Sequence, residues 1–222
     1  MTESAAGLLE SVRRQLALRE GDNRLIPRIA EGSASPAVLA ELAAQQWRII
    51  ASDRRSFLVL AARCADNPGG EYFAGLAAGE SLALDKLGGF ATACGLDSAA
   101  LLAREPLAGC QAYPAYMAWL ALNGDPAGVV LALAANFATW SGYCATAAHA
   151  LRHYYDFDDR ACAFFDFFAA PAPEAEAQAL AVVERALPEG SASAELLGYG
   201  RLLQSYELMF WNTLADLDPP ES

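Results

Sequence analysis

An acidic side chain lies among aromatic and aliphatic residues in segment 206–211, which reads YELMFW. Residues three, four and seven apart share one face of a helix, so a helix here would turn this acid inward together with its apolar neighbours. The residues on that face are Leu203, Glu207, Phe210, Trp211 and Leu214. A carboxyl group in apolar surroundings must be hydrogen-bonded, paired or neutral, because its charged form loses its hydration. Such a group is suited to proton transfer near neutral pH, which makes Glu207 the predicted catalytic residue.

A purely structural role for Glu207 fits the same pattern. Its carboxyl group could bond a neighbouring tyrosine or backbone group, or its side chain could extend to water. Other polar groups that helices could bring to the same place are Glu80, Tyr113, Tyr116, Asn136, Tyr143 and Cys144.

Tyr113 and Tyr116 are three residues apart, so their phenol groups could line one cavity and bond a heteroaromatic ligand. The alternative is core packing with each hydroxyl satisfied separately. Cys144 could form a covalent intermediate if a base lay beside it. No sequence neighbour would activate it, so the pattern favours an inert buried thiol.

Motifs for cofactors and metals are missing. The sequence has no phosphate-binding glycine loop, no Gly-x-Ser-x-Gly motif and no zinc-type cluster of cysteine and histidine. His149 and His153 are four residues apart and could share a metal, but di-iron bundles take Glu-x-x-His pairs from two helices, and Glu80 is followed by Ala83 at that spacing. We therefore expect neither a metal nor a cofactor.

Composition restricts the function classes. The chain has 222 residues, of which 55% are hydrophobic and 10% aromatic, which excludes a disordered protein and allows one sizeable core. A net charge of -12 argues against nucleic acid and against an anionic membrane surface as partners. The five cysteines form no C-x-x-C pair, and no secretory signal is evident at the start, so we expect a cytoplasmic protein with reduced thiols.

Segment 127–148 contains no charged residue and is long enough to span a bilayer. Polar side chains such as Asn136 and Thr139 interrupt it, and alanine rather than leucine predominates. This pattern favours a central helix surrounded by other helices over a transmembrane segment.

The chain as a whole predicts an all-α fold, a compact bundle of about eight helices in a single domain over 1–222. Strand patterns are almost absent, and proline and glycine separate long helical stretches. Ser35-Pro36 and Asp97 have the pattern of helix starts, and Gly95 that of a helix stop. Helices are predicted near 3–18, 36–65, 71–94, 97–105, 112–122, 127–148, 159–168, 174–187 and from 193 onward.

Two motifs in this order of helices resemble the TenA/thiaminase II family, which has a haem-oxygenase-like fold. Segment 206–211 is similar to the family's C-terminal Glu-x-x-Phe-Trp motif, which carries its acid/base glutamate, and segment 112–117, AYPAYM, is similar to its Tyr-x-x-Tyr motif. The resemblance assigns proton transfer to Glu207 and a place in the substrate pocket to Tyr113. Phe168 falls near the position of another pocket tyrosine. Members are commonly homo-oligomers, so a dimer or tetramer is expected.

The chain departs from the family pattern at two places. The family's Gln-Asp-x-x-Tyr-Leu motif corresponds to segment 52–58, SDRRSFL, and aligning Phe57 with its tyrosine puts Arg54 rather than Asp53 at the substrate-binding aspartate. The family's nucleophilic cysteine is replaced within segment 138–140, ATW, and Cys144 lies about one turn later. The predicted substrate-binding residues are Asp53, Glu80, Tyr113, Tyr116, Trp140, Cys144 and Phe168.

The resemblance implies a cofactor-independent protein that binds a small heteroaromatic molecule. If it is an enzyme, the implied reaction is hydrolysis of a C–N bond in an aminopyrimidine, a thiamin breakdown product. A second hypothesis is a ligand-binding or regulatory protein without catalysis, and a third is an oxidase of the same fold.

Overall fold

The computed structural model describes residues 4–17, 22–186 and 194–218, and within these residues every regular element is a helix. The all-α prediction is confirmed. Eight helices have eleven residues or more, and α2 and α5 have six each. The helices are α1 (Ala5–Ala17), α2 (Leu25–Ala30), α3 (Pro36–Arg63), α4 (Pro68–Ala93), α5 (Ser98–Ala103), α6 (Ala108–Asn123), α7 (Pro126–Tyr154), α8 (Asp159–Ala169), α9 (Pro173–Ala186) and α10 (Ala194–Ala215).

Several helices start where a short polar side chain precedes them. Ser35 accepts a hydrogen bond from the Val38 amide at 3.3 Å, and Asp97 accepts one from the Ala100 amide at 2.8 Å. These side chains satisfy amide groups that have no partner inside the first helical turn. Both predicted starts are confirmed, and Gly95, which follows α4, has the positive φ of 77° expected of a helix stop.

The starts of two helices differ from the prediction by three residues or more. Asn67 caps α4 through the Gly69 amide at 3.0 Å, so the helix begins at Pro68, three residues earlier than predicted. Helix α6 begins at Ala108 and contains Pro114 in its interior. The predicted helix ends at 3, 18, 187 and 193 lie outside the described residues.

Helix α2 was missed because the surrounding stretch is polar. Asn23 accepts hydrogen bonds from the Leu25 and Ile26 amides at 3.1 and 3.0 Å and so starts a single helical turn there. This short helix buries Leu25, Ile26 and Ile29 against α7 and α10. Tertiary burial therefore decides the conformation of a segment whose local pattern is weak.

Helix α7 is the central helix, with neighbours α1, α2, α8, α9 and α10 around it. By length and composition it could cross a membrane, but 72% of its most apolar window is buried inside the protein. Among the described residues no other helix passes that test.

Two apolar clusters make up the core, and α3, α4, α7 and α10 run through both. One cluster holds Phe90, Phe165 and Trp211, and the other holds Phe73 and Leu203. Each of these four helices has inward-facing residues between the two clusters that belong to neither, among them Asp53, Glu80, Asn136 and Glu207. A space at this level is therefore lined from several helices at once.

Adjacent glycines on α4 provide a test of how closely α4 and α8 pack. A Cβ atom added at Gly89 would collide with the carbonyl group of Arg160, whereas one added at Gly88 would meet no atom within 4 Å. We expect Gly89→Ala to lower the free energy of unfolding by roughly 1–3 kcal/mol, because backbone rather than a flexible side chain must move. Gly88→Ala should be neutral or stabilising by up to about 1 kcal/mol, because alanine favours helix. Urea unfolding of both variants checks this, and equal stability of the two would contradict the packing described.

Candidate functional site

A cavity of about 500 Å³, counted with its opening to solvent, lies between the two apolar clusters. Six helices line it: α3, α4, α6, α7, α8 and α10. From α3 come residues at positions 46, 49, 50 and 53, a spacing that places them on one helical face. The lining residues are Gln46, Ile49, Ile50, Asp53, Glu80, Tyr113, Asn136, Phe137, Trp140, Phe168, Glu207 and Phe210.

Glu207 is 4% exposed and both of its carboxyl oxygens accept hydrogen bonds. The side-chain amide of Asn136 donates to one oxygen at 2.5 Å, and the indole N–H of Trp211 donates to the other at 3.3 Å. Asn136 also donates to the Gln204 side-chain oxygen at 3.2 Å. The carboxyl group is thus held in one orientation between α7 and α10.

Asp53 and Glu80 form a second acidic group in the cavity, 5% and 9% exposed respectively. Burial raises the pKa of Glu80 to about 8. Burial, and then the negative charge of Glu80, raise the pKa of Asp53 well above its usual value. One oxygen of Asp53 has no hydrogen-bond partner in the described part of the chain. Glu80 therefore presents a protonated carboxyl group to the cavity at neutral pH, and the raised pKa of Asp53 favours its protonated form.

Tyr113 places a phenol near all three acids. Burial raises the pKa of Tyr113 well above its ordinary value, and the charges of Asp53, Glu207 and Glu80 add to the shift in that order. The phenol therefore keeps its proton and can both donate and accept a hydrogen bond.

Aromatic side chains form the remaining walls. The rings of Trp140 and Phe168 meet edge to face at 5.8 Å, and Trp140 lies 5.5 Å from Trp211, which packs behind it. Phe137 and Phe210 complete the apolar lining. A planar ring with polar edge atoms fits such surroundings, because its faces meet aromatic surface and its edges meet carboxyl, amide and phenol groups.

The sequence model of the TENA/THI-4/PQQC family matches residues 24–216, which is most of the chain. The chain belongs to this family. The resemblance expected from the motifs at 112–117 and 206–211 is thereby confirmed. No curated protein matches the chain significantly.

Solved structures with the same fold include several members of the TenA group. A protein with a haem-oxygenase-like fold from Shewanella denitrificans superposes with a TM-score of 0.79 at 13% identity, covering 94% of this chain and 90% of that chain. A TenA homologue from P. horikoshii gives 0.76 at 14% identity, covering 95% and 98%. A proposed TenA-like thiaminase from Sulfolobus solfataricus gives 0.69 at 14% identity, covering 96% and 97%. At these identities the likeness establishes the fold.

Asp53, and not Arg54, faces the cavity. Asp53 lines the cavity, whereas the Arg54 guanidinium donates to the Ser81 hydroxyl at 2.9 Å on the exposed side of α3. Of the other predicted pocket residues, Glu80, Tyr113, Trp140, Phe168 and Glu207 all line the cavity.

Tyr116 and Cys144 are not among the residues that line the cavity. The Tyr116 ring stacks on Trp119 with centroids 5.8 Å apart and lies 5.2 Å from Tyr206. Cys144 is 1% exposed, and burial, followed by the negative charge of Glu207, raises its pKa well above the ordinary thiol value. Their predicted contact with a substrate has no support in this geometry, and the Cys144 thiol stays protonated at neutral pH.

Two glutamines at the site were missed. Gln46 lies two helical turns before Asp53 on the same face of α3, a spacing that sequence alone could have revealed. Gln204 is fully buried beside Asn136, one turn before Glu207. Asn136 was expected among the polar groups that converge, but not as the donor to Glu207.

The two histidines lie away from the cavity on exposed positions of α7. The rings of His149 and His153 stack with centroids 6.0 Å apart. Within the described ranges, no three histidine, cysteine, aspartate or glutamate residues are grouped as metal ligands.

Glu80→Gln should reduce the dependence of stability on pH. Because burial raises the pKa of Glu80 from 4.5 to about 8, the folded chain binds more protons than the unfolded chain between these values. The free energy of unfolding of the wild type therefore falls as pH rises through this window, and glutamine removes the contribution of Glu80. We expect the variant to melt at least about 3 °C above the wild type at pH 8 and within about 2 °C of it at pH 5.

Asp85→Asn is the control for this experiment, since Asp85 is an exposed acid on the same helix. It should melt within about 2 °C of the wild type at both pH values. If Glu80→Gln loses as much stability as the wild type between pH 5 and pH 8, the raised pKa of Glu80 is wrong.

Proposed function

We propose that this TenA-like protein hydrolyses a C–N bond of a small heteroaromatic amine, such as an aminopyrimidine from thiamin breakdown, without a cofactor. The observation that carries the proposal is one aromatic cavity in which a fixed carboxyl group, Glu207, faces the same space as Asp53, Glu80 and Tyr113. Family membership and the fold shared with a proposed TenA-like thiaminase support the reaction class. A reducing cytoplasmic setting is part of the proposal, since all five cysteines are free thiols.

Recognition of the ring would use the paired acids on α3 and α4. A protonated carboxyl group has one donor and one acceptor, the complement of a ring nitrogen beside an amino group. Asp53 suits this role because one of its buried oxygens has no hydrogen-bond partner among the described residues. Trp140 and Phe168 would cover a face of the ring.

Glu207 would move the proton during hydrolysis of an aminomethyl substituent. Its carboxylate takes a proton from water as the water oxygen bonds to the carbon, and it passes this proton to the nitrogen as the C–N bond breaks. The nitrogen therefore leaves as ammonia, and the other product is an alcohol. Asn136 and Trp211 would hold the carboxyl group in line for both transfers.

A binding protein without turnover is the second candidate. The position of Cys144 favours it, because this thiol does not line the cavity and burial keeps it protonated. Such a protein would bind the same planar ligands and release no ammonia from them.

Glu207→Gln should lower kcat for ammonia release from an aminomethylpyrimidine by about 100-fold or more, because general acid–base catalysis contributes factors of this size. Glutamine has nearly the same shape and can still meet Asn136, so the melting temperature should stay within about 3 °C of the wild type. The assay measures ammonia and melting temperature on the same samples.

Cys144→Ala is the matched control, since a buried thiol that does not contact the ligand should leave kcat within about threefold. Unchanged turnover in Glu207→Gln would remove Glu207 from the mechanism. Loss of turnover in Cys144→Ala instead would show a nucleophilic thiol and refute the water mechanism. Binding of the pyrimidine by the wild type with no ammonia released would establish the second candidate.

A further inference from the structure

A second and larger space adjoins the cavity. It measures about 1650 Å³ with its solvent opening, and α4, α7 and the connection between α8 and α9 form its walls. We call this space the α4–α7 groove. Glu80, Phe137, Trp140 and Phe168 line both the cavity and the groove. The two spaces therefore meet at these four side chains, and we call this place the junction.

Small residues make the groove wide. On α4 its wall includes Gly75 and Gly79, and a Cβ atom added at either would meet no atom within 4 Å. Ala134 and Ala138 occupy the facing positions on α7. The space exists because side chains that would fill it are absent from both walls.

Charge in the groove is found at α1 and α9 and at the junction with the cavity. The Arg13 guanidinium pairs with the Glu176 carboxylate at 2.8 Å, and both side chains are partly exposed. Glu80 lies at the junction, next to the cavity that contains the unpartnered buried oxygen of Asp53. The stretch between these two places is lined mainly by glycine, alanine, proline and aromatic side chains.

We infer that the α4–α7 groove binds an apolar arm of the same ligand whose ring occupies the cavity. This inference rests on the proposed function and narrows its substrate class to heteroaromatic amines that carry an extended alkyl or aryl substituent. The side chains that line both spaces favour a single ligand. An arm attached to a ring in the cavity would fill the junction, whereas a separate ligand in the groove would leave the junction empty. Burial of such an arm would add affinity in proportion to the apolar area that it removes from water.

The two glycines allow the direction of the arm to be measured. Gly79 is next to Glu80 at the junction, and Gly75 lies one helical turn, about 6 Å, further along α4. Leucine at either position projects into open groove. Leucine at 79 should block an arm near its origin, whereas leucine at 75 should block only a longer arm.

The probes are an aminomethylpyrimidine and its N-methyl, N-butyl and N-octyl derivatives, titrated by calorimetry into the full chain. In the wild type we expect affinity to rise by about fourfold per methylene along the arm until the groove is filled. Gly79→Leu should weaken the N-butyl and N-octyl compounds at least tenfold and leave the unsubstituted ring within about twofold. Gly75→Leu should weaken only the N-octyl compound.

Gly88→Leu is the control, since Gly88 is exposed on the same helix and does not line the groove. It should leave all four affinities within about twofold. A wild type that binds the unsubstituted ring but gains nothing from the arm would overturn the groove inference while the proposed function stands. An arm whose contribution survives both Gly75→Leu and Gly79→Leu would overturn it as well.

A neutral apolar dye, N-phenyl-naphthylamine, tests the groove separately from the ring. Its fluorescence should rise with the wild type and with Gly88→Leu and be at least tenfold weaker with Gly79→Leu. Dye binding with this pattern, but no binding of any pyrimidine, would refute the proposed ring specificity and not the groove. Absence of dye binding together with absence of any gain from the arm would refute the groove.

Discussion

A hydrogen bond from the Asn136 amide to the Glu207 carboxyl group joins α7 to α10 in the interior of the bundle. Neither group could be buried alone without a penalty of order 1–3 kcal/mol, and more for a charge, so each requires the other to stay in place. The pair therefore restricts the rotation of α7 relative to α10. With that rotation set, Phe137 and Trp140 of α7 and Phe210 of α10 face the same cavity.

The cavity follows from the division of the core into two clusters. Helices α3, α4, α6, α7 and α10 contribute apolar residues to both clusters, and most of the positions at which they line the cavity carry polar or aromatic side chains. Burial raises the pKa of both acids there, Asp53 and Glu80, and so favours their uncharged forms, which cost less to bury. Stability and a candidate site thus compete for the same positions.

Periodicity predicted the parts of the structure that depend on local chemistry. The all-α fold, the capped starts at Ser35 and Asp97 and the inward direction of Glu207 all follow from residue types at helical spacing. The residues that face the cavity were harder to predict from sequence, because they depend on how the helices pack. Alignment on Phe57 favoured Arg54, and only the rotation of α3 in the bundle puts Asp53 on the cavity. The α4–α7 groove could not be predicted from a sequence motif. It exists because glycine and alanine have no side chain, or only a methyl group, to fill the space.

The raised pKa values of Asp53 and Glu80 link ligand binding to solvent protons. A neutral ligand can enter and exchange hydrogen bonds with the two acids while both keep their protons. Below the pKa of the pair, a cationic ligand is neutralised there only when the pair releases a proton. Each such event releases one proton, and the apparent affinity for the cation then rises by about tenfold per pH unit below the pKa of the pair. The buried acids would thereby select between the two charge states of a single amine.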